Sequence, residues 1–230
     1  MPPEPQPLGP PTSFSGAKPP TPTTLKGRYA ELRPLAPADD AQSLYELSHA
    51  PTGDPRVWTY LYEGPYPNLA AYREDLHRTN DGLTFTVLTG DRPAGTASYL
   101  AITPEHGSIE IGNIWFGPSL QKTRAATEAI YLLAKHAFDD LHYRRLEWKC
   151  NSLNQPSRKA AARFGFEYEG TFQKHRVVKG RSRDTAWFAI TDDRWPPLRQ
   201  AFETWLDPEN FDAEGRQRSQ LTRTRAREGG

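Results

Sequence analysis

The sequence predicts a mixed α+β fold: a central, twisted, mostly antiparallel sheet of about seven strands flanked by helices. Three observations predict it. Runs rich in β-branched and aromatic residues alternate with helical patterns along the middle of the chain. Several of those runs are joined by links too short for anything but hairpins, while two others are separated by whole helices that permit a parallel crossover. The apolar content is only 36% of 230 residues, yet 10 Phe, 10 Tyr and 6 Trp supply large core-forming side chains.

In chain order, Tyr29–Leu35 reads as a strand. Pro37–His49 reads as a helix with an acidic first turn (Asp39, Asp40), which complements the helix dipole. Asn68–Thr79 is a second helix. Leu83–Leu88 and Ala94–Ile102 form two strands around a turn carrying Gly90, Asp91 and Pro93. Ser108–Phe116 is a strand with a glycine inside it, and strict alternation puts Ser108, Glu110, Gly112, Ile114 and Phe116 on one face with Asn113 opposite. Thr123–Leu141 carries one apolar stripe through Ala126, Ile130, Leu133, Ala137 and Leu141 and reads as a long helix. Arg145–Cys150 is a strand. Pro156–Phe164 is a short helix that Gly165 ends. Tyr168–Phe172 and Thr185–Ile190 are strands, and Leu198, Ala201, Phe202, Trp205 and Leu206 mark a final amphipathic helix.

The two ends read differently. Nine of the 22 prolines lie in the first 22 residues, so residues 1–25 read as an unfolded proline-rich tail. Residues 207–230, with arginines at 216, 218, 223, 225 and 227, read as a charged tail. One folded domain over residues 26–206 remains.

Composition excludes several function classes. With 29 Lys+Arg against 28 Asp+Glu, the net charge of +1 does not suit a general nucleic-acid binder. A single cysteine, Cys150, allows neither an intrachain disulfide nor a multi-cysteine metal cluster, and it reads as a small buried residue. The six histidines show no ligand spacing, so no metal is expected. No serine sits in a nucleophile-elbow sequence. No run suits a membrane span and no leader pattern opens the chain, so the expected setting is the cytoplasm, as a monomer or homodimer.

The junction Phe116-Gly-Pro-Ser-Leu-Gln121-Lys122-Thr123-Arg124-Ala125-Ala126 carries the clearest chemistry. A helix that starts there leaves its first amides without intrahelical partners and turns its positive dipole end outward. Lys122 and Arg124 add charge, and Ala125 and Ala126 are small enough for close approach, a combination that suits a diphosphate; an ordinary basic first turn would look the same.

From Glu110 to Ile190 the sequence resembles the GCN5-related N-acetyltransferases, and within them the branch of ribosomal-protein N-terminal acetyltransferases and related small-molecule N-acetyltransferases. The resemblance lies in the ordered set EIGNIWFGPSLQKTRAA, NSLNQPS, FGFEYEG and GRSRDTAWFAI, and the elements before it extend the match from about Gly27 to Leu206. It implies the GNAT fold, with an acyl-CoA between splayed middle strands, and acetyl-CoA as cosubstrate. Ile114, Trp115, Phe116, Gln121, Lys122, Thr123, Arg124, Ala125 and Ala126 would then line the CoA site. Arg124 stands where the family usually has a glycine. Asn154 and Ser157 would reach the pantetheine arm and its sulfur, although Asn154 also suits a helix cap.

The reaction implied is direct transfer of an acetyl group to a primary amine, of a small molecule such as an amino acid, polyamine or antibiotic-like amine, or of a protein N-terminus; a catalytically weak domain that binds CoA and acts as a regulator is the other alternative. It calls for a base, an oxyanion donor and an acid for the leaving thiolate. Glu110 is the candidate base, and Asn113 could orient the amine or a water. A tyrosine common in the family ahead of Gly165-Phe166 is replaced by Ala160-Ala161, which leaves Ser157 or a water as the acid. Trp58, Tyr60, Tyr62 and Glu63 are the candidate acceptor-site residues, aromatics that could equally pin a loop to the core. For Arg181, Arg183 and Asp184, which also match a family motif, an Arg–Asp ion pair and a ligand contact are both open.

Overall fold

A computed structural model describes residues 6–49, 51–78 and 82–221. The elements are β1 (Leu25–Lys26), β2 (Glu31–Pro34), α1 (Pro37–Ser48), α2 (Leu69–Leu76), β3 (Leu83–Thr89), β4 (Arg92–Thr103), β5 (Ser108–Phe116), α3 (Arg124–Lys135), β6 (Arg145–Asn151), α4 (Gln155–Arg163), β7 (Glu167–Val178), β8 (Arg181–Thr191) and α5 (Trp195–Leu206). They build one eight-stranded sheet in the order β1-β2-β3-β4-β5-β6-β8-β7. Every neighbouring pair is antiparallel except β5 and β6. That single parallel pair is the consequence of the α3 crossover.

Helices α3 and α5 cover one face of the sheet, where Ile109, Ile111, Leu146, Trp148 and Ile190 meet Ala129, Ile130, Leu133, Leu198 and Phe202. On the opposite face α1 and α2 enclose a second, aromatic core of Leu44, Trp58, Tyr72 and Trp115. Two buried carboxylates tie the first strands down. Asp40, fully buried, takes both guanidinium nitrogens of Arg33 together with the Ala36 amide and the Thr86 hydroxyl. Glu128 accepts the amides of Arg28, Tyr29 and Ala30 at 2.9, 2.5 and 2.7 Å, which locks the β1–β2 hairpin to α3.

Several expectations are corrected. The sheet has eight strands rather than about seven, because Leu25–Lys26 pairs with β2. The helix expected over Thr123–Leu141 is α-helical only to Lys135 and finishes in a π turn, His136–Asp140. Strands β7 and β8 run as one long hairpin, well beyond the short runs expected. The helix expected over Asn68–Thr79 ends at Leu76, and residue 79 lies outside the described residues.

Alternation along β5 also breaks. Between the pairs Ser98↔Gly112 and Thr96↔Trp115, β5 spends two residues, Asn113 and Ile114, against one on β4, with Asn113 at φ 48°. This bulge turns Trp115 into the aromatic core, while Ile114 and Phe116 pack on the α3 side. Glu110 therefore does not share a face with Ile114 and Phe116.

The segments outside residues 26–206 are partly packed. Residues 6–24 contain no helix or strand, but Ala17 and Lys18 donate their amides to the Pro104 and Leu141 carbonyls. Arg144 stacks on Phe14. Residues 207–221 were expected to be a solvated tail. They fold back instead: Phe211 bridges to Gln217, packs on Trp205, and Leu221 is buried. Burial of two apolar side chains that charge counting overlooks is the reason. Residues 1–5 and 222–230 lie outside the described residues. No helix among the described residues is long and apolar enough to cross a membrane.

Candidate active site

The site is a gap in the sheet. β5 pairs with β6 only through Ser108↔Arg145, Ile109↔Leu146 and Glu110↔Glu147. Beyond Glu110 the bulge bends β5 away, whereas β6 runs on beside β8 to Asn151. The result is a wedge open between two central strands, with Glu110 at its closed end.

The first turn of α3 follows the end of β5 at Phe116 and borders a cavity whose other walls are Trp205, Phe211, Gly215 and Gln217. Thr123 is the N-cap, its hydroxyl accepting the Ala126 amide at 3.1 Å, and Lys122 at φ 62° turns the chain into the helix. The Gln121 and Thr123 amides are spent on the Gly117 and Leu120 carbonyls. Among the described residues, the amides of Lys122, Arg124 and Ala125 have no partner. Three of the six residues expected to bind by amide are thus available. Gln121 donates its side chain to the Phe116 carbonyl at 2.8 Å and closes the strand end. The Arg124 guanidinium is stacked over the rings of Tyr29 (4.8 Å) and Phe211 (4.5 Å), so Arg124 offers its amide while its side chain is held against the C-terminal segment.

On the same side, Asn154 caps α4 by accepting the Ser157 amide at 3.2 Å. Ser157 in turn accepts the Trp148 indole N–H at 3.0 Å, which leaves its own proton for donation, with the Cys150 sulfur within its reach. Cys150 lies beside it, buried, its thiol pushed up by that burial. Three open amides, small Ala125 and a hydroxyl donor in line with a wedge suit a diphosphate followed by an extended thioester arm.

The other side of the wedge carries charge. Lys149 bridges Glu110 at 2.8 Å and Glu147 at 2.6 Å, and its ammonium lies 4.3 Å from the centre of the Trp187 ring. Burial pushes the Glu110 carboxyl above its ordinary value, and Lys149 pulls it part of the way back. Glu110 Oε1 is not engaged by Lys149. A Cβ at Gly112 would lie 2.9 Å from that oxygen and 2.6 Å from Leu100, so glycine is what makes room for the carboxylate. Asn113 is exposed on the bulge.

The expected acceptor residues separate. Trp58 is buried in the aromatic core, donating its N–H to Ser48, and is not a pocket wall; Trp115, 5.9 Å from it, leaves the CoA side for the same core. Packing decided this: in that cluster both indoles are only 5% exposed. Tyr60 reaches Leu153 across the wedge at 3.4 Å, Tyr62 lies 4.6 Å over Arg183, and Glu63 is exposed. Asp184 forms no ion pair with an arginine among the described residues. It accepts the Lys174 amide at 2.7 Å, at a bulge in β7. Sequence reasoning missed Lys149, Glu147 and Trp187. Their alternate spacing with Asn151 and Thr185 across the β6–β8 register was visible only once the pairing was known.

Residues 30–167 match the acetyltransferase (GNAT) domain family. The chain is 40% identical to a GCN5-related N-acetyltransferase from Brucella melitensis, over 91% of this chain and 96% of that one, with a TM-score of 0.86. It is 36% identical to a GNAT-family acetyltransferase from Chromobacterium violaceum, over 85% and 99% of the two chains, with a TM-score of 0.76. It is also 28% identical over 145 residues, 60% of this chain and 81% of the relative, to the uncharacterized N-acetyltransferase p20 of Bacillus licheniformis. With the wedge, the open helix start and these likenesses together, the chain belongs to the GNAT family of acetyl-CoA-dependent acyltransferases.

Proposed function

We propose that the protein moves the acetyl group of acetyl-CoA directly to a primary amine of a small molecule at the wedge between β5 and β6. Bound acetyl-CoA supplies the reactive thioester. The Lys122, Arg124 and Ala125 amides hold its diphosphate end, and Asn154 and Ser157 border the arm. Glu110, through the oxygen Lys149 leaves free, accepts the proton of the incoming ammonium and so frees the amine lone pair. Ser157 donates its hydroxyl proton toward the departing sulfur.

One observation carries the small-molecule reading. The segment 55–63 crosses the acceptor side and docks on the far half of the sheet. Lys179 bonds the Trp58 carbonyl at 2.7 Å, Arg183 the Tyr60 carbonyl at 3.5 Å, and Tyr60 the Leu153 carbonyl at 3.4 Å. A bridged wedge favours a compact amine over an extended chain end. The test is a panel of small primary amines and of peptide N-termini offered with acetyl-CoA, following thiol release and acetylated product by mass spectrometry. Small amines are expected to turn over. Acetylation confined to peptide N-termini overturns the acceptor class, and no turnover of any amine overturns the activity.

A further inference from the structure

Arg183 is the most unusual charge in the protein. It is only 5% exposed, yet no carboxylate lies within ion-pair distance of it among the described residues. Buried arginines are nearly always paired, because an uncompensated charge out of water is costly. Among the described residues its side chain makes one hydrogen bond, the 3.5 Å contact to the Tyr60 carbonyl, and its Nε is buried without a partner.

The neighbouring donors share this condition. On the same face of β8, Thr185 is 1% exposed and its hydroxyl is unpartnered; the Trp187 indole N–H is buried and unpartnered as well. On β7, three residues, 173–175, oppose the single Asp184 between the pairs Phe172↔Thr185 and Arg176↔Arg183. That bulge brings the His175 ring to 6.1 Å from Trp187, and its Nδ1 too is buried without a partner. Four orphaned polar groups in one patch call for a ligand, since native proteins pair nearly all such groups. Guanidinium and indole nitrogens can only donate, so the ligand group must accept.

We propose that Arg183, Thr185 and Trp187 form the acceptor's anion subsite, which takes a compact oxyanion, carboxylate or phosphate, on the amine that Glu110 deprotonates. This rests on the acetyl-transfer reading above. The spacing supports it: Lys149 touches both the Glu110 carboxylate and the Trp187 ring, so the base and the subsite are one side chain apart. An amine carrying its oxyanion a few bonds away would span them. Tyr62, 41% exposed, lies over the Arg183 guanidinium on its outer side. Burial, followed by the charges of Arg176, Arg183 and Lys149, holds the His175 imidazole below its ordinary value, so the patch already feels these three cations.

The experiment compares matched amines with acetyl-CoA: β-alanine against propylamine, and phosphoethanolamine against ethanolamine. The oxyanion-bearing member of at least one pair is expected to have kcat/KM at least ~10-fold higher; which pair shows it separates carboxylate from phosphate. Arg183→Ala should raise the KM for that amine by about 100-fold and erase the preference, with kcat changing far less and acetyl-CoA affinity by calorimetry unchanged. Arg183→Lys should restore part of it. Should Arg183→Ala not fold, Thr185→Val removes one donor at constant shape and Trp187→Phe removes the indole N–H while keeping an aromatic ring; each should raise KM several-fold. Equal rates within both pairs, or a preference that survives Arg183→Ala, overturns the subsite while leaving acetyl transfer intact. Acetyl-CoA binding with no turnover of any amine overturns the transfer reading itself.

Discussion

Glu110 shows how one side chain can be readable in sequence and its setting not. Its place on the strand before the turn at Gln121 makes it the proposed base. Its partner Lys149, 39 residues on, becomes visible only through the parallel pairing of β5 and β6. Because burial outweighs Lys149 and raises the carboxyl pKa, Glu110 stays protonated to a higher pH than a free glutamate, whose ordinary value is 4.5. A base must be ionised, so kcat/KM should climb with pH through that raised value. Glu110→Gln should lower kcat by about 10²-fold, remove that limb of the pH profile and leave acetyl-CoA affinity unchanged. A retained limb in the variant would assign the titration to another group. Gly112→Ala should act on the same oxygen by crowding it, lowering kcat with little effect on melting temperature if Leu100 yields.

At the scale of elements, local patterns succeed where one element decides its own fate. Residues 108–116 form β5 within the bounds their alternation predicts. The Thr123 and Asn154 caps follow from residue type, and the α5 stripe buries Leu198, Phe202 and Trp205 as its spacing requires. Patterns fail where a partner element intervenes: the Asn113–Ile114 bulge reverses the faces beyond it, and Phe211 and Arg124 join two segments 87 positions apart in order to share a stack. The β1–β2 hairpin depends on a carboxylate from α3. Glu128→Ala, which takes the carboxylate away from one buried and two part-buried amides, should cost about 3 kcal/mol in denaturant unfolding. A loss below ~1 kcal/mol would show that water replaces the carboxylate there.

The segment after α1 has its own titration. His49 accepts the Tyr66 amide at 2.9 Å through Nε2, and burial, opposed in part by the Tyr45 carbonyl, lowers its pKa from the ordinary 6.5. The unfolded chain therefore binds a proton near pH 6.5 that the folded chain refuses until lower pH. Stability should be unaffected by His49 above that value and should fall as pH drops below it toward the lowered value. The melting temperature of His49→Gln, which keeps an acceptor but does not titrate, should decline less between pH 7 and pH 5 than that of the parent; equal declines would remove His49 from the acid response.

For the whole molecule, the decisive feature is that the two halves of the sheet meet over only three residue pairs and are then re-tied above the gap by residues 55–63. The Lys179 bond to the Trp58 carbonyl is the shortest of these ties, at 2.7 Å. Lys179→Met should speed amide hydrogen exchange in residues 56–62 and raise the acceptor KM, with acetyl-CoA affinity unchanged; exchange at the parent rate would mean that the aromatic core alone holds the segment.

By itself the sequence determined the fold class, the family and the start of α3, because periodicity, caps and an ordered set of motifs are local properties that survive without knowledge of neighbours. Tertiary structure alone decided which amides of that helix remain open, that Trp58 and Trp115 serve a core, and that Arg183 is buried beside unpartnered donors. Those facts depend on strand register, on one extra residue in β5 and on a bulge in β7, and register is a relation between distant segments that no single segment encodes.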